Sequence, residues 1–449
     1  MKRQFTHNAC SRRLAMMGIP LLAQLPRTVH AAGRTPYGGV LRATCPWPLE
    51  TLDPHRADNT AALFFGHAVF NPLYSVTPQG TPFPTLATQL PRPTTSGIVI
   101  TLREGVQSFR GRNLDAHAVR YSLERAKRLD AHPFARRVQR VRASSPTQVA
   151  IKLQDAANFS SLQIARWLAS PLLSIVPPGF SAASPDGSGP FGARIQPGAF
   201  ASIHLSRNLR AARGASFLTS INLRGTSDLA EPLRRFESGQ DNLGWLGRGL
   251  HSPRKNAKIV RSSALGWLIL RTGNALGRWS RPGIAFELAQ SVPDTALRAL
   301  GTESFSSGTG DGYRGPRTSL LVPERHSQLT AIAQGLAESL NRESNSRVTV
   351  LPVPLEELRT RLSSRDFGLA LTAERPLALG SHGVLPSLHS LAGTRAALRP
   401  HPPISLRSAV GNFCRTQPFT VLGTLEVQLG HTDEFAGLNV WDLGAVFRR

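Results

Sequence analysis

The strongest constraint on the fold is a change of hydrophobic period within one stretch of chain. Leu329, Ile332, Ala333, Leu336 and Leu340 recur at three- and four-residue spacing, which predicts an amphipathic helix with Ser327 as its N-cap. After a turn at Ser344-Asn345-Ser346, the residues Val348, Val350 and Val353 predict a strand. Asp366 to Leu371 predicts another. Helix alternating with strand implies an α/β lobe.

The first half carries similar signals. Val40 to Ala43 predicts a short strand, and Leu49 to Pro54 a loop, because Pro54 disfavours helix at Asp53. Ala62, Phe65, Ala68 and Val69 predict a helix over Asn59 to Phe70, stopped by Asn71-Pro72. Ile98 to Leu102 is compact and β-branched, hence a strand. Ala118, Val119, Ser122, Leu123 and Ala126 form one face of a helix capped by Asp115. Val149, Ile151 and Leu153 alternate as a half-buried strand. Ser160 to Ala169 predicts a weaker helix. A second body begins near residue 255, with a buried strand over Ala264 to Leu270.

Apolar residues make up 41% of the 449, enough to build more than one core and to exclude a disordered chain. No apolar run approaches the roughly eighteen residues of a membrane-spanning helix. Lys plus Arg number 53 against 28 acidic residues, a net charge of +25, and only five of the cations are lysines. This balance favours polyanions in general, and suggests an anionic ligand or an anionic outer surface. The cations are spread over the whole length, and the near absence of lysine favours arginine-rich genomic composition as their origin.

Residues 1–31 read as an export signal. Lys2, Arg3, Arg12 and Arg13 form a basic head, Leu14 to Leu25 a short apolar stretch, and Val29-His30-Ala31 a cleavage site. Ser11-Arg12-Arg13 resembles a twin-arginine motif. Export out of the cytoplasm is therefore expected. Cys45 and Cys414 would remain, and in an oxidising compartment could form one disulfide.

Signals of enzyme chemistry are missing. There is no Gly-x-Ser-x-Gly elbow, Walker loop or His-Glu-x-x-His motif, and carboxylates are scarce and unpaired along the chain. The histidines show no metal-ligand spacing. A non-enzymatic protein without cofactor or bound metal is expected.

Several segments together resemble the extracellular solute-binding proteins of family 5, the periplasmic peptide- and nickel-binding components of ABC importers. These are Thr51-Leu52-Asp53-Pro54; Asn71-Pro72-Leu73; Leu102 to Gly111, with one extra residue before Phe109; Val119 to Arg125; Gly187-Ser188-Gly189-Pro190-Phe191; and Gly239 to Trp245. The resemblance implies an α/β, two-lobed periplasmic binding protein type II-like fold with an additional subdomain in the first lobe. It implies an N-terminal part of lobe I over 32–250, lobe II over 251–405, and a segment returning to lobe I over 406–449. A receptor of this kind captures a peptide-like solute between its lobes and passes it to a membrane permease, as a monomer and without nucleic acid. A metal or metallophore receptor of the same family is the variant reading. A nucleic-acid or other polyanion binder outside transport, and a secreted hydrolase, are the readings from other classes.

The second lobe departs from the family pattern. The Trp-x-x-Asp-Tyr-like segment of peptide-binding members is absent, and Thr372-Ala373-Glu374-Arg375-Pro376 stands in its place. Glu374 is therefore the candidate carboxylate for a ligand amine. The remaining ligand-binding candidates are Trp245, Trp267, Tyr313, Arg375 and Phe413, with core packing the competing role for the aromatics.

Overall fold

The computed structural model describes residues 37–449 except 78–79, 96, 155–158, 246–256, 262–265, 293–301, 305–312, 342–346, 375–383, 393–405, 426–427, 437–442, 444–445 and 449. The export-signal segment therefore lies outside the described residues.

Two mixed sheets dominate. In the first, the strands run in the order Lys258–Arg261, Gln428–His431, Leu243–Trp245, Val40–Cys45, Ser220–Gly225, Ser202–Arg207, Phe191–Gln196. In the second the order is Thr302–Ser304, Phe419–Leu425, Gly266–Thr272, Leu369–Glu374, Thr318–Pro323, Val348–Val353. The chain crosses between the sheets between Arg261 and Gly266, and returns between Leu425 and Gln428. Both crossings fall later than the expected boundaries at 250 and 405. The helix Leu406–Cys414 does not return to the first lobe, because Val410 and Cys414 pack with Phe419 and Val421 of the second sheet. One continuous core joins the sheets, from Leu41 and Leu223 to Leu268, Leu320 and Leu371.

A third, antiparallel sheet has the order Arg92–Thr94, Gly97–Thr101, Gln148–Leu153, Val138–Ser145. Ile98, Ile100, Val149 and Ile151 share a separate core with Val119 and Leu123 of the helix Ala116–Arg128. Among the described residues no helix is long and apolar enough to cross a membrane.

Local chemistry places the helices where the periodicity predicts. The helix Thr60–Val69 is capped by Asn59, whose Oδ1 accepts the Ala62 N–H at 2.7 Å. Asp115 caps the helix Ala116–Arg128 through the N–H groups of His117 and Ala118. At the helix Ser327–Asn341 the capping contact belongs to His326 instead of Ser327. The His326 Nδ1 accepts the Leu329 N–H at 3.4 Å, while the Ser327 hydroxyl donates to the carbonyl of Ser227. The strand expected over Asp366 to Leu371 begins later, at Leu369.

The segments that carry the family resemblance meet one another in space. Gly187 and Gly189 lie against the end of the helix Thr60–Val69, where a Cβ would stand 2.2 Å from the Val69 carbonyl oxygen and 2.5 Å from that of Ala68. Asn71 Nδ2 donates to the Ser188 carbonyl at 3.0 Å. Asp186 accepts from Ser108 Oγ at 2.8 Å and from Arg112 Nε at 2.9 Å. These residues are clasps that hold the first lobe together.

Both described cysteines are free. Cys45 lies in the first sheet and Cys414 in a helix on the second, each buried. The disulfide left open by the sequence does not form.

Candidate functional site

The loop that follows the strand Val40–Cys45 is fastened at several points. Leu49 and Leu52 are buried, and their N–H groups donate to the carbonyls of Phe200 and Ala182. Asp53 anchors it most firmly. Arg125 donates to both Asp53 carboxylate oxygens, at 2.9 and 2.6 Å, and the His55 N–H donates to the same group at 3.0 Å. Burial works to raise the pKa of Asp53. The hydrogen bonds and charge of Arg125 outweigh it and hold the carboxyl below its ordinary value. Arg125 also donates to His55 Nδ1 at 2.9 Å, which leaves the proton of His55 on Nε2, donating to the Ser174 carbonyl at 2.8 Å.

Beside this loop lies a cavity of about 350 Å³. Its walls come from three places: the loop Trp47–Ala61, the end of the helix Ala116–Arg128, and the second-sheet side around Pro323–Leu329, Leu355–Leu362 and Thr372–Glu374. The strands Val40–Cys45 and Thr318–Pro323 both run parallel to their neighbours, and the cavity opens at their carboxyl ends. That is where open α/β sheets bind ligands. Leu329, Leu355, Leu358 and Leu362 supply the apolar part of the wall.

The charged lining inverts the balance of the whole chain. Five carboxylates (Glu50, Asp58, Asp130, Glu324, Glu374) face three arginines (Arg56, Arg325, Arg359). Two ion pairs tie the walls across the cavity, Glu50 to Arg325 at 2.6 Å and Asp58 to Arg359 at 2.5 Å. Asp130 pairs with Arg136, and Glu374 with Arg271 at 2.6 Å. Arg56 on one wall and Glu324 on the other have no side-chain partner among the described residues. The arginine excess therefore does not extend into the cavity, against the anionic ligand that composition suggests.

Aromatic rings form a stack behind the cavity. Trp47, which lines it, stacks on Phe64 at 4.6 Å and meets Trp245 edge-on at 4.4 Å. His326 approaches Trp47 from the second lobe, with centroids 5.7 Å apart. Its Nδ1 accepts a hydrogen bond, so its proton sits on Nε2, which is buried without a partner. Burial pushes its pKa down to about 4. Trp47 Nε1 and Trp245 Nε1 are also buried without partners.

Of the sequence-derived candidates among the described residues, only Glu374 lines the cavity. Burial raises its pKa, the charge of Arg271 opposes this, and Asp58 adds to the rise. Trp245 stands one layer behind the wall, in contact with Trp47. Trp267 is 2% exposed and packs in the second-sheet core, because its strand is covered on both faces. Tyr313 is core, its hydroxyl donating to the Pro316 carbonyl at 2.8 Å. Phe413 packs beside His389 and Phe419 on the far side of that sheet. Arg375 lies outside the described residues. Trp47, Arg56, Asp58, His326 and Arg359 were missed. Their common signal is position in a loop or helix start just after a strand.

No family model matches the chain. No curated protein matches it by sequence. Solved structures do match in fold. The oligopeptide-binding protein AppA from Bacillus subtilis, in complex with a nonapeptide, aligns with a TM-score of 0.71 at 13% identity, over 93% of this chain and 100% of that one. NikA from Staphylococcus aureus in complex with Ni(L-His)2 gives 0.69 at 13% identity, covering 91% and 100%. The binding protein AgaA from A. tumefaciens R10, in complex with agropinic acid, gives 0.70 at 13% identity, covering 92% and 99%. At such identities the likeness is one of fold, and three such different ligands on one architecture show that the fold does not name a ligand. The chain has the α/β two-lobed fold of periplasmic binding proteins.

Proposed function

We propose that the protein is the substrate-binding receptor of an ABC importer, exported to the periplasm, which captures a small peptide-like solute between its lobes and delivers it to a membrane permease. One observation carries this reading. The cavity between the lobes presents one unpaired cation, Arg56, and one unpaired carboxylate, Glu324, on opposite walls. A zwitterion fits that pattern, its carboxylate toward Arg56 and its ammonium toward Glu324. Such a ligand touches both lobes, so its differential affinity favours closure. The leucines on the same wall as Glu324 suit an apolar side chain. The protein acts by binding and release, without catalysis.

Native mass spectrometry of the exported protein, followed by denaturation and identification of anything released, tests this. A stoichiometric small peptide supports it. A released metal complex moves the cargo to the metallophore class. A chain that stays empty after exposure to peptide and metal mixtures overturns the receptor reading. Arg56→Ala and Glu324→Ala are each expected to weaken peptide binding at least tenfold, the loss of roughly one charge-assisted hydrogen bond, with unchanged thermal stability.

A further inference from the structure

The antiparallel sheet with the separate core has two very different faces. Ile98, Ile151 and Val141 lie in one row across its three longer strands and are buried beneath the helix Ala116–Arg128. The adjacent rows point the other way. In one, Gly97 pairs with Lys152 and Lys152 with Arg140. In the next, Arg92 pairs with Val99, Val99 with Ala150, and Ala150 with Arg142. All four cations are exposed, none is ion-paired among the described residues, and the four strands contain no Asp or Glu.

This arrangement costs stability, since like charges directly opposite across strands repel. Arginine on the outer strand Val138–Ser145 also protects an open edge. Edge protection does not account for Lys152, which stands on an inner strand. The residues between the cations, Gly97, Val99 and Ala150, are small, so the face is flat and its long side chains can spread over it. Leu90, two residues before the strand Arg92–Thr94, is an exposed leucine.

We infer that this face is a docking surface for anionic phospholipid headgroups. A flat array of cations on strands without a carboxylate matches a plane of delocalised negative charge better than one shaped ligand. The cavity between the lobes shares no residue with this face. The inference therefore stands or falls separately from the identity of the cargo.

The test is flotation of the full exported protein, without cargo, on vesicles of phosphatidylcholine alone and of equimolar phosphatidylcholine and phosphatidylglycerol. Wild type is expected to bind the anionic vesicles preferentially, and to be released by salt. Each juxtamembrane cation contributes roughly fivefold to such binding. The triple variant Arg140→Gln, Arg142→Gln, Lys152→Gln should thus lose about a hundredfold in affinity. A control with the same charge change at the exposed Arg194, Arg278 and Arg317, each to Gln, should bind within a few-fold of wild type. Equal losses in the two triples would reduce the effect to net charge and overturn the inference. So would wild type that ignores anionic vesicles, or that binds soluble duplex DNA but no vesicle.

Discussion

Replacing Asp53 by Asn tests whether one buried ion pair holds the cavity wall. Asp53 accepts both guanidinium branches of Arg125 and the His55 N–H, with side-chain exposures of 8% for Asp53 and 14% for Arg125. An Asn keeps the shape but leaves the Arg125 charge buried and unpaired. Removing one partner of such a pair costs about 3–5 kcal/mol. Removing both should cost much less than the sum, so Asp53→Asn with Arg125→Met should show a coupling of at least about 1 kcal/mol. The assay is urea unfolding of the two single variants and the double at neutral pH. The pH dependence follows from the lowered pKa of Asp53. Its stabilisation is present above the ordinary carboxylate range near 4 and is lost as pH falls through the lower folded value. A loss below about 1 kcal/mol in Asp53→Asn, with additive singles, would refute the reasoning.

His326 is neutral in the fold, with a pKa near 4, against about 6.5 in an unfolded chain. The unfolded chain therefore takes up a proton first, and stability should fall by ~3 kcal/mol between about pH 6.5 and pH 4. His326→Phe should flatten that part of the pH profile in thermal melts, and an unchanged slope would count against it. Gly187→Ala should cost at least ~1–3 kcal/mol, since its Cβ would collide with the backbone at Val69; calorimetry measures this, and a neutral result would mean that the clasp yields. Arg359→Ala removes a half-buried cross-cavity pair, so its stability cost should stay near ~1 kcal/mol. The same variant should widen the unliganded protein in small-angle scattering, and an unchanged radius of gyration would argue against a latch.

The elements were legible in the sequence because their signals are local. Asp115 caps its helix at the position that side-chain chemistry and apolar periodicity indicate, whereas at the helix Ser327–Asn341 the cap falls one residue earlier, on His326. The resemblance segments, from Asp53-Pro54 to Gly187-Ser188-Gly189-Pro190, pointed to the architecture for a physical reason that the structure displays. They are contacts between distant parts of the first lobe, such as Asp53 with Arg125 and Asn71 with Ser188. The cavity was much less legible. Trp267 and Tyr313 are as aromatic as Trp47, yet they are core. Which ring reaches the cavity wall depends on which strand end it follows, and composition carries no trace of that.

What the sequence determined by itself was therefore the α/β class, the Asp115 helix cap, and a chain of clasps that holds the first lobe together. Only the tertiary structure decided where the chain crosses between the lobes, that Cys45 and Cys414 stay apart, and that a strongly basic chain lines its cavity with more carboxylates than arginines. Capping and periodicity act over three or four residues, within the reach of a local pattern. Arg359 meets Asp58, and Arg325 meets Glu50, only when two sheets pack together, so the charge of the cavity belongs to the fold and not to any segment of the chain.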